Sequence, residues 1–249
     1  MKEKDYEIEI CLGSVQSCIE AEKGGADRVE LCDNLFEGGT TPSFGAIKSA
    51  RQNIDIELAV MMRPRGGDFL YSDLEVKIME QDIEMAIDLG ADTIVFGLLN
   101  SDGSIDVDNT KKLIDKVNGR TKITFHRAFD VSNDLFQSLD TLKSLGAVDR
   151  ILTSGGEPSV LEGLDVLQKL VAQAGDSISI MAGCGINQRN FEKIRSFIEA
   201  PAYHMTASSS IESKMVFRND RCFMGSALYP PEFSLNQVDP EKVKSFTDQ

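Results

Sequence analysis

Glutamate and cysteine recur together in this chain, as EIC at 9–11 and as ELC at 30–32. Side chains alternate across a β-strand, so Glu9 shares a face with Cys11, and Glu30 with Cys32. Thiolates can hold a soft monovalent metal such as Cu(I). Two thiols can also close a reversible disulfide, and one alone can act as a nucleophile. A free cysteine is equally a small core hydrophobe, and a single cysteine fits that reading as well. The second concentration of chemistry is TFHRAFD at 124–130. The chain has only 2 histidines, and one of them, His126, stands directly after an apolar stretch and next to Arg127. On the face of Thr124, its imidazole would point inward beside Glu30 and Arg63 as a general acid or base, with Glu9 as a partner. The plain alternative is a hydrogen-bonded structural histidine.

Anion-binding groups lie nearby. In VMMRPRGGDF (60–69), Arg63 and Arg65 bracket a proline and two glycines follow. Guanidinium grips carboxylate or phosphate in a bidentate fork, and glycines let backbone amides approach. Arg127 opens the loop after its strand and extends the same positive set. TSGGEPS (153–159) offers Ser154, Gly155 and Gly156, and MAGCGINQRN (181–190) offers Gly183 and Gly185, each just before a helix. Bare amides at a helix start suit an anion, although ordinary turn geometry explains the same glycines. His204, in YHMTASSS, closes the ring. The expected occupant is a copper ion or a small anionic, even phosphorylated, ligand. No Walker A loop, HExxH or EF-hand loop is present, and GCG at 183–185 does not complete a dinucleotide fingerprint.

What must position these residues is a repeated unit. AEKGGADRVEL (21–31), AIDLGADTIVF (86–96) and LKSLGAVDRIL (142–152) each run from a helix end through glycine and a short Asp-bearing linker into an apolar strand. Glycine relieves the left-handed cap, and the β-rich run that follows makes an αβ turn. Eight strands are expected near 7–11, 28–32, 57–62, 93–97, 122–126, 149–153, 177–182 and 202–206, with amphipathic helices between most of them. Ser14 is the expected cap of the first helix, Ser72 with Glu75 a capping box for the helix running to Leu89, and Asn187 or Asn190 the cap of the seventh. DPEKVKSF reads as a closing helix. Eight alternating units predict an α/β fold, a (β/α)8 TIM-like barrel over residues 1–249 as a single domain. A doubly wound sheet is the competitor, but Glu9, Glu30 and Thr124 within strands fit a barrel whose interior turns polar towards its functional end. The stretch 208–228 lacks periodicity and reads as a long loop after the eighth strand.

Composition narrows the partners. A net charge of −14 repels nucleic acid on average. No apolar run is long enough to span a membrane, and the start has no secretory pattern. An odd number of cysteines, 5 in 249 residues, without CxxC, fits free thiols in a reducing cytoplasm.

The motifs ELCDNLFEGGTTPSFG (30–45), VMMRPRGGDFLYSD (60–73), VFGLLNSDGSIDVD (95–108), TFHRAFD (124–130), RILTSGGEPS (150–159) and MAGCGI (181–186) resemble, in order, the CutC family of copper homeostasis proteins. The likeness runs from about Glu7 to Gly225. It implies a TIM-like barrel, a cytoplasmic homo-oligomer, and Cu(I) bound by cysteines, with Cys11 and Cys32 at the family's strand-end cysteine positions. Cys184 stands where small residues are usual and inherits no role. Cys18 is expected to pack on the first helix. Cys222 lies in a variable region with Met224 as a nearby soft donor. Copper alone does not account for Arg63, Arg65, His126 and Arg127, which keeps an enzyme acting on a small anionic substrate as the alternative.

Overall fold

The computed structural model describes residues 5–219, 221–222 and 232–247. The chain alternates β1 (Glu7–Leu12), α1 (Val15–Lys23), β2 (Arg28–Leu31), α2 (Phe44–Asn53), β3 (Glu57–Met61), α3 (Asp73–Asp88), β4 (Thr93–Phe96) and α4 (Val107–Val117). It continues through β5 (Lys122–Phe125), α5 (Leu135–Leu145), β6 (Arg150–Thr153), α6 (Leu164–Ala174), β7 (Ser179–Gly183), α7 (Phe191–Ile198) and β8 (Ala202–Met205). Strands β1 to β8 are parallel and close into a barrel in sequence order. Closure excludes the doubly wound sheet. Among the described residues, no helix is long and apolar enough to cross a membrane.

The aspartates of the repeated linkers have a structural task. Asp27 accepts a hydrogen bond from the Ile8 amide at 2.7 Å, Asp92 from Leu58 at 2.9 Å, and Asp149 from Ile123 at 2.7 Å. Each carboxylate therefore ties the start of one strand to its neighbour where the barrel floor would leave an amide unpaired. Removing a carboxylate orphans a partly buried donor, so Asp149→Ala is expected to cost about 1–3 kcal/mol. A urea unfolding curve, read as a lowered midpoint at unchanged slope, checks this.

Local signals hold at the helix starts. Ser14 accepts from Ser17 N, and Ser72 and Glu75 form the reciprocal box. Asn190 sits at the start of α7 but makes no cap bond. It accepts from the Asn187 amide at 2.7 Å and donates to Gly185 O at 2.8 Å, so the two asparagines shape the turn before the helix.

The stretch from 208 does not begin as a loop. Ser208–Glu212 forms β9, which pairs antiparallel with β10 (Ser234–Val238) before the closing helix α8 (Pro240–Thr247). Serines at 208–210 hide strand alternation from a hydropathy reading, since no residue there marks an apolar face. Met224 and the rest of the expected loop from 223 to 228 lie outside the described residues.

Inside the barrel, apolar side chains form two small groups. Cys32, Ala59, Met61 and Val95 pack together with Cys11 against them, and Leu152, Met181 and Ala202 form the other. The interior also carries a charged girdle. Arg28, fully buried, meets Glu9, Glu7 at 3.0 Å and Glu57 at 3.5 Å, while Arg150 reaches Glu7 at 3.1 Å.

Candidate metal centre

Strand register decides what meets at the barrel mouth. Cys11 lies opposite Glu30, not opposite Cys32, and Glu9 lies opposite Arg28 on one side and His204 on the other. Neighbouring barrel strands are staggered, so the two Glu-x-Cys segments sit at different heights, one side-chain layer apart. This corrects the expectation of matched depth. The stagger nevertheless brings both thiols together. Cys11 packs against the group that holds Cys32, whose thiol pairs with it, and Cys32 Sγ also donates towards Glu30 Oε2 at 3.6 Å. His204 joins from β8, with Nδ1 at 2.6 Å from Glu9 and Nε2 at 3.9 Å from Glu30. Gly183 on β7 makes this possible, because a Cβ there would stand 3.0 Å from the Cβ of His204.

The groups set one another's protonation. The hydrogen bond from Cys32 holds the Cys11 thiol well below its usual range against the cost of burial, and His204 adds to it. Cys32, as the donor in that bond and buried, is pushed well up. Burial, then the Cys11 charge, raises Glu30 well above an ordinary carboxyl. Burial would lower His204, but its bonds to Cys11 and Glu9 raise it well above its usual value. Burial opposes charge on Glu9 too, yet Arg28 and His204 hold it far below the usual carboxylate range. These shifts all favour one arrangement: thiolate on Cys11 beside imidazolium on His204, with the proton kept on Cys32 and Glu30 and the charge kept on Glu9.

Cys11, Glu30 and His204 each offer a donor atom within 4.8 Å of the others. Oε1 of Glu30 is buried without a partner. Two sulfurs and an imidazole form a soft donor set that fits Cu(I) once the metal displaces the protons of Cys32 and His204, whereas a neutral carboxyl is a poor ligand for it. Glu9 fixes the ring of His204 through Nδ1 and leaves Nε2 for the cluster. Cys11 is half-buried and lines a cleft of about 450 Å³ that also includes Gly13, Leu35, Phe36, Ser208 and Gln237.

The histidine beside the glutamates is His204. His126 makes no described hydrogen bond or ion pair with Glu9 or Glu30. Its Nδ1 accepts from Ala128 N at 3.2 Å, which starts a short 3-10 turn, and its ring packs 5.0 Å from that of Phe69. Burial, then Arg63, lowers it to about 3, so it is neutral. Gly97 makes its room, since a Cβ there would fall 2.5 Å from Nδ1.

The anion clamp takes a different form from the one expected. Arg63 is buried and donates to the carbonyls of Glu37, Gly39 and Gly67 at 2.7–2.9 Å, pinning two loops. Arg65 is tied to Glu75 at 2.5 Å and to Asp68 at 3.0 Å. The cradle at Ser154, Gly155 and Gly156 is filled from within. Asp130 accepts from the Ser154 and Gly156 amides at 3.0–3.1 Å and pairs with Arg127 at 2.7 Å, while the Gly155 amide donates to Thr153 Oγ1. Gly185 uses its carbonyl on Asn187 and Asn190. A carboxylate four residues after His126 was the visible sign that an internal anion would take this place.

Cys18 is buried in α1 as expected, and burial pushes its thiol up to about 12. Cys184 donates to Pro158 O at 3.1 Å, and Cys222 is exposed. The sequence reading overlooked Arg28. Its signal was an arginine two residues before Glu30 on the same strand face, a charge that must be paired if the strand is interior.

The fold and mouth together define a TIM-barrel protein whose strand-end face carries a thiol–imidazole–carboxyl cluster with donor atoms close enough to hold a metal ion. The CutC family profile matches residues 6–209, and the chain belongs to that family. A human protein named copper homeostasis protein cutC homolog is 45% identical over 238 residues, covering 96% of this chain and 86% of its own. The Dictyostelium discoideum protein of the same name is 42% identical over 277 residues, covering 100% and 99%. The crystal structure of CutC from Streptococcus agalactiae is 39% identical with a TM-score of 0.77, covering 81% of this chain and 98% of that one.

Proposed function

We propose that this protein handles copper by holding Cu(I) between Cys11 and Cys32, with His204 Nε2 beside them. The observation that carries the reading is the meeting of two thiols, one held as thiolate, next to an imidazole at the half-open end of the barrel. The names of its relatives support a copper connection. Free cysteines fit a reducing cytoplasm, and a homo-oligomer belongs to the same reading. Copper here is cargo: the thiols bind it, Glu9 and Arg28 keep the site rigid, and the cleft at Cys11 admits its carrier. Anaerobic Cu(I) titration against a competing chelator tests this. One equivalent bound tightly, and lost in Cys11→Ser, Cys32→Ser, is the expected result. Binding indifferent to both cysteines would overturn it.

A second reading rests on the line Cys11, His204, Glu9. A thiolate, an imidazole and a buried carboxylate in series are the parts of a nucleophile–base–orienter relay. Protonated Glu30 adjoins them as a proton donor for a small substrate in the Cys11 cleft. Screening small acyl substrates with the copper-free protein tests it. Turnover lost in His204→Gln supports an enzyme, and no covalent adduct or turnover sinks it.

A further inference from the structure

At the ends of β3 and β5 and in the loop after β3, three polar atoms are buried and unpaired. They are Nε of Arg63, the hydroxyl of Tyr71 and Nε2 of His126. Their residues are only 4%, 7% and 4% exposed. One side chain connects them: the Phe69 ring lies 5.2 Å from the Arg63 guanidinium carbon and 5.0 Å from the His126 ring. The Tyr71 hydroxyl lies within reach of the Arg63 guanidinium, which can only donate to it, so its own O–H is left without an acceptor. Leaving a buried donor unpaired costs about 1–3 kcal/mol, so three in one patch ask for a reason.

All three are donors. Arg63 Nε carries a hydrogen at any working pH, and the tyrosine hydroxyl donates. His126 accepts at Nδ1 from Ala128, so in its neutral form the proton is on Nε2. The charge is equally one-sided. No carboxylate pairs with Arg63 among the described residues, and His126 adds no charge of its own. The patch therefore has three donors, one positive charge and no matching acceptor. Phe69 alone of the four is half-buried, which puts the way in past its ring.

We propose that Arg63, Tyr71 and His126 form a recognition site for a small monocarboxylate, whose two oxygens take the three donors and whose single charge balances the guanidinium. Phe69 covers its apolar end. The site shares no residue with the thiol cluster and stands whether or not that cluster carries copper.

Sodium acetate is the probe, titrated into the copper-free full chain at fixed ionic strength with sodium chloride as the balance. The readout is imidazole 15N NMR, in which neutral His126 is distinguished from protonated His204. Saturable movement of the His126 Nε2 signal is expected. Tyr71→Phe removes only the unpaired hydroxyl, so the melting temperature without acetate should hold or rise while acetate binds about 10-fold or more weaker, the share of one hydrogen bond to a charged group. Arg63→Lys would be harder to read, because it also frees three loop carbonyls. No saturable His126 shift, or equal acetate binding by Tyr71→Phe, overturns the proposal. Tighter binding of phosphate than of acetate overturns the carboxylate assignment, and a clear loss of stability in Tyr71→Phe without ligand shows the hydroxyl to be structural.

Discussion

Replacing Glu9 with glutamine is expected to destabilise the protein by about 3 kcal/mol, the scale for breaking a buried ion pair. Arg28 is fully buried, and Glu9 is its partner at the level of the site. Glu7 and Glu57 still reach its other end, which keeps the loss at the lower end of the usual range. For a chain of this size the melting temperature should fall by roughly 6–12 °C. His204 loses its counter-charge in the same step, so its pKa should drop towards that of an ordinary imidazole. Glu30→Gln is the contrasting variant. Glu30 already prefers its neutral form, and an amide matches that form, so little stability should be lost.

The pH dependence separates the two carboxyls. Glu9 is depressed in the folded state, so its contribution is present above the unfolded carboxylate value of about 4.3 and is lost as pH falls below it. Glu30 is raised, so it has the opposite sign: stability is lost as pH rises from about 4.3 through its folded value. Relative to wild type, Glu30→Gln should gain stability as pH rises above about 4.3, whereas the deficit of Glu9→Gln should stay constant there and shrink as pH falls below about 4.3. Urea unfolding at a series of pH values measures both. Parallel stability curves for the two variants would contradict the protonation states assigned to the cluster.

Iodoacetamide at pH 7 is expected to alkylate Cys11 more than about 100-fold faster than Cys18. The thiolate is the attacking species, Cys11 is held below the usual thiol range, and Cys18 is pushed up to about 12. The lower basicity of a stabilised thiolate makes it a weaker nucleophile per ion, which trims the contrast without reversing it. Access points the same way, since Cys11 lines the cleft and Cys18 is buried in α1. In His204→Gln the Cys11 rate at pH 6 should fall several-fold, because the imidazolium that favours the thiolate is gone. Peptide mass mapping over time gives both rates. A Cys11 rate that climbs with pH as a free thiol does, with its midpoint near 8.5, would refute the thiolate.

Sequence alone determined the alternating units, the closed barrel, the first cap and the capping box, because these rest on local periodicity and short-range hydrogen bonds. It also singled out Cys11, Cys32, Glu9 and Glu30, whose period-two spacing puts each pair on one strand face. The tertiary structure decided which of these residues meet. Strand stagger is a property of barrel closure, and it set Cys11 against Glu30 and brought His204, nearly two hundred residues away, between Glu9 and the thiols. No local pattern ranks His204 above His126, since both stand at strand ends. Their different neighbours, carboxylates for one and Phe69 with Arg63 for the other, exist only in the folded barrel. The same holds for Asp130. Its carboxylate fills the amides at 154–156, a pairing across 24 residues that turns a candidate ligand cradle into an internal bond.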